Sequence, residues 1–179
     1  MRTFVAVEIC NEDLLGSIAK LQSDLAIRAR PVSKQNMHFT LLFLGEITED
    51  TADKVKKSLS GISFKPIQVS FTHLGAFPNP KSPRVIWIGV DEEAGAELVK
   101  LAAQVEQKLG PLGFKPDKPF KPHLTIFRLK ERQDGLSEKI TGHGKVNLGT
   151  DVISELKFKQ SILTSNGPIY SDLLVVRGQ

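Results

Sequence analysis

The tripeptide His-x-Thr occurs twice in the chain, as His38-Phe39-Thr40 and as His123-Leu124-Thr125. Each copy lies in a short apolar run, from Asn36 to Gly45 in the first case and from Pro122 to Leu129 in the second. Residues two apart on a strand share a face. Each copy therefore presents an imidazole and a hydroxyl together, with Phe39 and Leu41, or Leu124 and Ile126, on the other side. Two such strands side by side hold what metal-free phosphoryl transfer requires. One imidazole removes a proton from the attacking oxygen and the other protonates the leaving oxygen, roles that suit histidine because its pKa lies near neutrality. The Thr40 and Thr125 hydroxyls can donate hydrogen bonds to the non-bridging phosphate oxygens, where charge gathers in the transition state. One histidine must be neutral and the other protonated, so a bell-shaped pH–rate profile is expected. The pattern does not assign which is acid and which is base.

With four histidines and nine threonines in 179 residues, chance alone would supply about 0.015 such pairs. The bland alternative is two core or edge-strand histidines beside ordinary β-forming threonines. Context argues against it. Arg2–Ile9 reads as a strand, is followed by a helical pattern and then the first motif; Arg84–Val90 is followed by a helical pattern and then the second. The chain reads as a strand–helix–strand unit used twice, with two related halves bringing the histidines together across a pseudo-two-fold axis.

Around the motifs the cations are many. Arg28, Arg30 and Lys34 precede the first; Lys115, Lys118 and Lys121 precede the second, and Arg128 and Lys130 follow it. The loop Phe77–Arg84 is proline-rich and holds two more. Such groups attract phosphates, although any single lysine is as well read as a solvated one. Arg128 lies five positions after His123, so strict alternation puts it on the opposite face; only a bulge, strand twist or its long stem would bring it to the phosphate. His73 and His143 lack the hydroxyl partner and read as structural or solvent-facing, His73 at a strand end and His143 in the loop Gly142-His143-Gly144. Cys10 is the only cysteine, which leaves no internal disulfide and no multi-cysteine zinc site; it reads as a small buried or half-buried residue. No cluster of His, Asp and Glu has metal-ligand spacing, so neither a metal nor a cofactor is expected.

The elements that must position these groups follow from periodicity. Strands are expected over 2–9, 36–44, 66–73, 84–90, 122–130, 152–164 and 168–177. Helices are expected over 12–28, where Leu14, Leu15, Ile18, Leu21 and Leu25 form one stripe, over 50–60, and over 92–109. Asn11 is a candidate N-cap with Glu12 and Asp13 in the first turn. Residues 131–141 suggest a short helix interrupted by Gly135, and Asn166-Gly167 is a strong turn signal. The class is α+β: a single domain over 1–179, bilobal, with two pseudo-symmetric lobes of antiparallel sheet plus helices and one His-x-Thr strand from each lobe in a central cleft.

Net charge is +4 and the pI about 9.2, compatible with an anionic ligand. At 40% hydrophobic and a mean hydropathy of −0.12, the chain suits a soluble globule without a membrane span or signal peptide. The cytoplasm is the expected location, and a monomer the expected state.

These residues resemble the two-histidine (2H) phosphoesterase superfamily. More narrowly, the two motif strands, the Phe4–Glu8 opening, the stretch from Phe77-Pro78 to Pro83-Arg84-Val85-Ile86-Trp87, and Tyr170 look like the LigT-like RNA 2',3'-cyclic phosphodiesterases, also called 2'-5' RNA ligases. The likeness covers nearly the whole chain. It implies a cleft between two lobes and hydrolysis of a terminal 2',3'-cyclic phosphate in RNA to a 2'-phosphate. It also implies joining of RNA ends through a 2'-5' bond, with RNA ending in a 2',3'-cyclic phosphate, tRNA halves among the candidates, as the partner. By that resemblance His38 is the proton donor and His123 the proton acceptor, Thr40 and Thr125 bind phosphate, and Arg128 sits where the family often has arginine. Two competitors remain: a non-catalytic RNA- or nucleotide-binding module, and a phosphodiesterase for 2'-5' oligoadenylate or cyclic ADP-ribose phosphate.

Overall fold

The computed structural model describes residues 1–143 and 145–179. The chain begins in a strand, β1 (Arg2–Glu8), and turns into a helix, α1 (Glu12–Leu25). The Asn11 side chain accepts from the Leu14 N–H at 3.0 Å, and Glu12 and Asp13 complement the positive helix end. Leu14, Leu15, Ile18, Leu21 and Leu25 are buried. The helix stops earlier than its periodicity suggests because Ala26 takes a left-handed conformation, φ 49°. Residues 27–33 are thereby released to run across the molecule. They lead to β2 (His38–Glu46), then α2 (Glu49–Leu59), β3 (Ile67–Phe77), β4 (Val85–Val90), α3 (Glu92–Leu109) and β5 (Leu124–Arg128). A short α4 (Leu136–Gly142) starts after Gly135 instead of being interrupted by it, and β6 (Thr150–Ile153), β7 (Glu155–Thr164) and β8 (Gly167–Arg177) complete the chain.

The strands form two antiparallel four-stranded sheets, ordered β2-β1-β7-β8 and β5-β4-β3-β6. In each, the motif strand is the edge and pairs with the strand that precedes it by one helix. The units β1-α1-β2 and β4-α3-β5 thus occupy equivalent places, as the duplicated pattern suggests. The segment expected as one strand over 152–164 is two. Ser154 divides it, and β6 joins the second sheet while β7 joins the first. The first sheet therefore joins the first strands of the chain to the last, β1 pairing with β7. One apolar cluster runs through both halves, including Val5, Val7, Phe39, Phe71, Ile86, Ile88 and Ile126. Phe39 of β2 and Phe71 of β3 stack at 6.0 Å between ring centres, joining the sheets. Among the described residues no helix is long and apolar enough to cross a membrane.

Candidate active site

Burial along β2 alternates as the motif requires: Phe39 and Leu41 are buried, Thr40 is exposed and His38 half-buried. The same holds for Leu124 and Ile126 against Thr125 on β5, with His123 one residue before that strand. β2 and β5 lie beside each other. His38, Thr40, His123, Thr125 and Arg128 line a single cavity of about 650 Å³, together with Tyr170.

Both imidazoles are held by the same device. His38 Nδ1 lies 2.6 Å from the Asn36 carbonyl oxygen, and His123 Nδ1 lies 2.6 Å from the Lys121 carbonyl oxygen. A carbonyl only accepts, so Nδ1 carries a proton in each ring and Nε2 is the nitrogen left for chemistry. His38 Nε2 is 3.0 Å from Thr40 Oγ1. The ring of His38 rests against Phe4, 5.1 Å away, and edge-on to Tyr170 at 5.3 Å. That of His123 meets Phe77 at 4.9 Å and Trp87 at 6.3 Å. Burial pushes both histidines below the ordinary value, the backbone carbonyls work against that shift, and the Arg128 guanidinium adds to it. At His38 there are two more influences: the Glu8 carboxylate favours the proton and the Lys159 ammonium disfavours it.

Arg128 departs from strict alternation, and the register gives the reason. Trp87 pairs with Thr125 but Ile86 pairs with Phe127, leaving Ile126 as the extra residue of a bulge. Ile126 and Phe127 are consequently both buried, and Arg128 returns to the cavity side. β2 carries the matching bulge: Ala6 pairs with Thr40 and Val5 with Leu42, and Leu41 and Leu42 are both buried.

The remaining candidates separate cleanly. Arg28, Arg30 and Lys130 line the cavity, and Lys115, Lys118 and Lys121 do not; Lys34 faces another depression beside Cys10. Cys10 is exposed, not buried, because it follows the end of β1 at the turn into α1, where its N–H donates to Asp151 Oδ2 at 2.7 Å. His73 is inside β3 and not at its end. Its ring lies over Gly89, where a Cβ would come within 2.1 Å, and edge-on to Trp87 at 5.7 Å. It supports the wall behind His123. His143 caps α4, its Nδ1 donating to the Lys139 carbonyl at 2.8 Å; Gly144 beside it lies outside the described residues.

Two parts of the site carry no sequence signal of belonging to it, although Asn166-Gly167 reads as a turn. The turn of the β7–β8 hairpin, Thr164–Pro168, lines the cavity and is tied to the start of β2 by Asn36 Nδ2 donating to the Pro168 carbonyl at 3.1 Å. Beneath His38, on the same face of the first sheet, Lys159 is buried, 4% exposed, and bonds both Glu8 and Asp172. Lys157 donates to Glu8 at 2.5 Å; burial opposes its charge, but Glu8 and Asp172 outweigh that and raise its pKa. Glu8 is the cross-strand neighbour of His38.

Comparison with known proteins agrees with the duplicated architecture. The family model described as LigT-like phosphoesterase matches twice, over residues 7–87 and 88–170. The chain is 42% identical over 178 residues to a protein of Archaeoglobus fulgidus named RNA 2',3'-cyclic phosphodiesterase, covering 98% of this chain and 99% of that one. It is 37% identical to a protein of the same name from Aeropyrum pernix, covering 92% and 96%. Among solved structures, a Thermus thermophilus protein superposes with a TM-score of 0.78 at 28% identity, covering 99% and 97%. The LigT of E. coli complexed with ATP shares the fold, with a TM-score of 0.78 at 21% identity over 98% and 96% of the two chains. Matched by the family model over both halves and by full-length relatives well above 30% identity, this chain belongs to the LigT-like phosphoesterase family.

Proposed function

We propose that the chain is an RNA 2',3'-cyclic phosphodiesterase that opens a terminal cyclic phosphate to a 2'-phosphate by acid–base catalysis. The observation that carries this reading is the pair of imidazoles, each with Nδ1 committed to a carbonyl, on one cavity with two threonines and a guanidinium. His123 in its neutral form takes a proton on Nε2 from water. The water oxygen attacks phosphorus, the bond from phosphorus to the 3'-oxygen breaks, and His38 in its protonated form returns a proton to that oxygen. The products are a 2'-phosphate and a 3'-hydroxyl. Thr40, Thr125 and Arg128 bind the non-bridging oxygens as charge gathers there. A 5'-hydroxyl in place of water makes the same displacement a 2'-5' ligation.

In this reading residues 1–179 act as one bilobal unit, supported by the apolar cluster shared between the sheets, and as a monomer. The partner is RNA with a 2',3'-cyclic phosphate end, tRNA halves among the candidates. The proposed place is the cytoplasm, and a free, exposed Cys10 suits its reducing conditions. Incubation with RNA ending in a 2',3'-cyclic phosphate, in the presence of EDTA, tests the activity. A 2'-phosphate end is the expected product; an unchanged cyclic end, or a 3'-phosphate, contradicts it.

A further inference from the structure

Five side chains of the cavity, His38, His123, Thr40, Thr125 and Arg128, account for one phosphate. Three further cations line the same cavity: Arg28 and Arg30 between α1 and β2, and Lys130 just past β5. None of the ion pairs among the described residues engages these three or Arg128. The one carboxylate on this lining is Glu131, so the wall holds a clear excess of positive charge.

These cations are presented by fixed backbone. Gln133 grips Arg28 at both main-chain groups: its Oε1 accepts from the Arg28 N–H at 3.1 Å and its Nε2 donates to the Arg28 carbonyl at 2.7 Å. Pro31 bridges to Phe127, and the Val32 N–H donates to the Ile126 carbonyl at 2.9 Å. Gln22 Nε2 adds bonds to the Val32 and Ile126 carbonyls, each at 3.0 Å. The segment from Arg28 to Val32 is thus laid along β5, across the cleft from the sheet it leads to. Arg84 donates to the Lys130 carbonyl at 3.0 Å and holds the other bank. Backbone fixed in this way has already met the ordering cost that a mobile loop would meet on binding.

We propose that Arg28, Arg30 and Lys130 form a track for the sugar–phosphate backbone of the RNA strand leading to the cyclic phosphate. The proposal rests on the phosphodiesterase reading and deepens it: these three side chains hold the nucleotides that precede the cyclic end, so an oligoribonucleotide end is preferred over a cyclic mononucleotide. The strand leaves the histidines past Arg128 toward the end of β5. Contacts to phosphates position a strand without reading its bases, so the preference is for chain length and not for sequence.

The test uses the double variant Arg28→Gln/Arg30→Gln, both exposed positions, with two substrates: a 2',3'-cyclic mononucleotide and an oligoribonucleotide ending in a 2',3'-cyclic phosphate. The ratio of kcat/KM for the oligonucleotide to that for the mononucleotide is expected to fall about tenfold. Binding of an oligoribonucleotide with a 2'-phosphate end, followed by fluorescence anisotropy, should lose steepness in its salt dependence by about 1.4 in log–log slope, for two phosphate contacts on a single strand. An unchanged ratio with an unchanged salt slope overturns the track. If wild-type protein turns over neither substrate yet the variant loses salt-dependent binding, the track stands and the phosphodiesterase reading is the one that fails.

Discussion

His38 and His123 are both held below the ordinary histidine pKa of about 6.5, first by burial and in both cases also by Arg128. The active fraction needs one ring protonated and the other neutral, and it peaks midway between the two values. Both values lie low, so kcat/KM should peak on the acid side of pH 6.5, since that ratio reports the free enzyme. Arg128→Gln removes a charge that lowers both. Both limbs of the profile should then move to higher pH, while the peak falls about 10²–10³-fold through loss of an anion-stabilising donor. Limbs that stay in place would show that Arg128 does not face the pair. The four motif residues were legible in the chain because the two-residue period is local. Arg128 was reachable only through the family resemblance, because its placement depends on a bulge set by pairing with Ile86 and Trp87, some forty residues earlier in the chain.

At the scale of elements, the wall behind His123 depends on two glycines of the second sheet, Gly75 under Trp87 and Gly89 under His73. Trp87 lies across Gly75, where a Cβ would come within 2.3 Å of the indole. Gly75→Ala should cost about 1–3 kcal/mol of stability by overpacking and lower kcat/KM by displacing the ring against His123. Gly16, in the middle of α1, has nothing within 4 Å of an added Cβ, so Gly16→Ala should stabilise by about 0.5–1 kcal/mol. Urea unfolding of the two variants checks the opposite signs. The long helices were readable from their apolar stripes and caps, and the motif strands from their alternation. The early end of α1 was not, because Ala26 at positive φ has no signature in its residue type. Nor was the division at Ser154: β6 and β7 both read as strand, and only sheet membership separates them.

At the scale of the whole molecule, the site joins two sheets and sits on an ion cluster belonging to the first. Lys159→Met leaves Glu8 and Asp172 without their most buried partner and should destabilise by about 3–5 kcal/mol. The burial of Lys159 follows from its pairing with Phe4 on one side and Asp172 on the other, which no local pattern announces. The pH dependence of stability has two windows. The folded-state pKa values of both histidines are lowered, so the unfolded chain binds protons first. Stability is full above about 6.5 and declines as pH falls through the folded values. Asp172 is also lowered, by Lys159 and Lys157 against its burial, so its contribution is present above about 3.8 and lost further down. Urea unfolding at pH 7 and pH 5 should show the first decline, and it should shrink in His38→Asn.

The central claim is that His38 and His123 are the two proton-transfer groups of one reaction. The most direct measurement is kcat/KM on RNA with a 2',3'-cyclic phosphate end for His38→Ala, His123→Ala and the double variant. Each single change should cost about 10²–10⁴-fold, and the double variant should lose far less than the product of the two, because the groups act as a unit. Wild-type activity in either single variant would contradict the account.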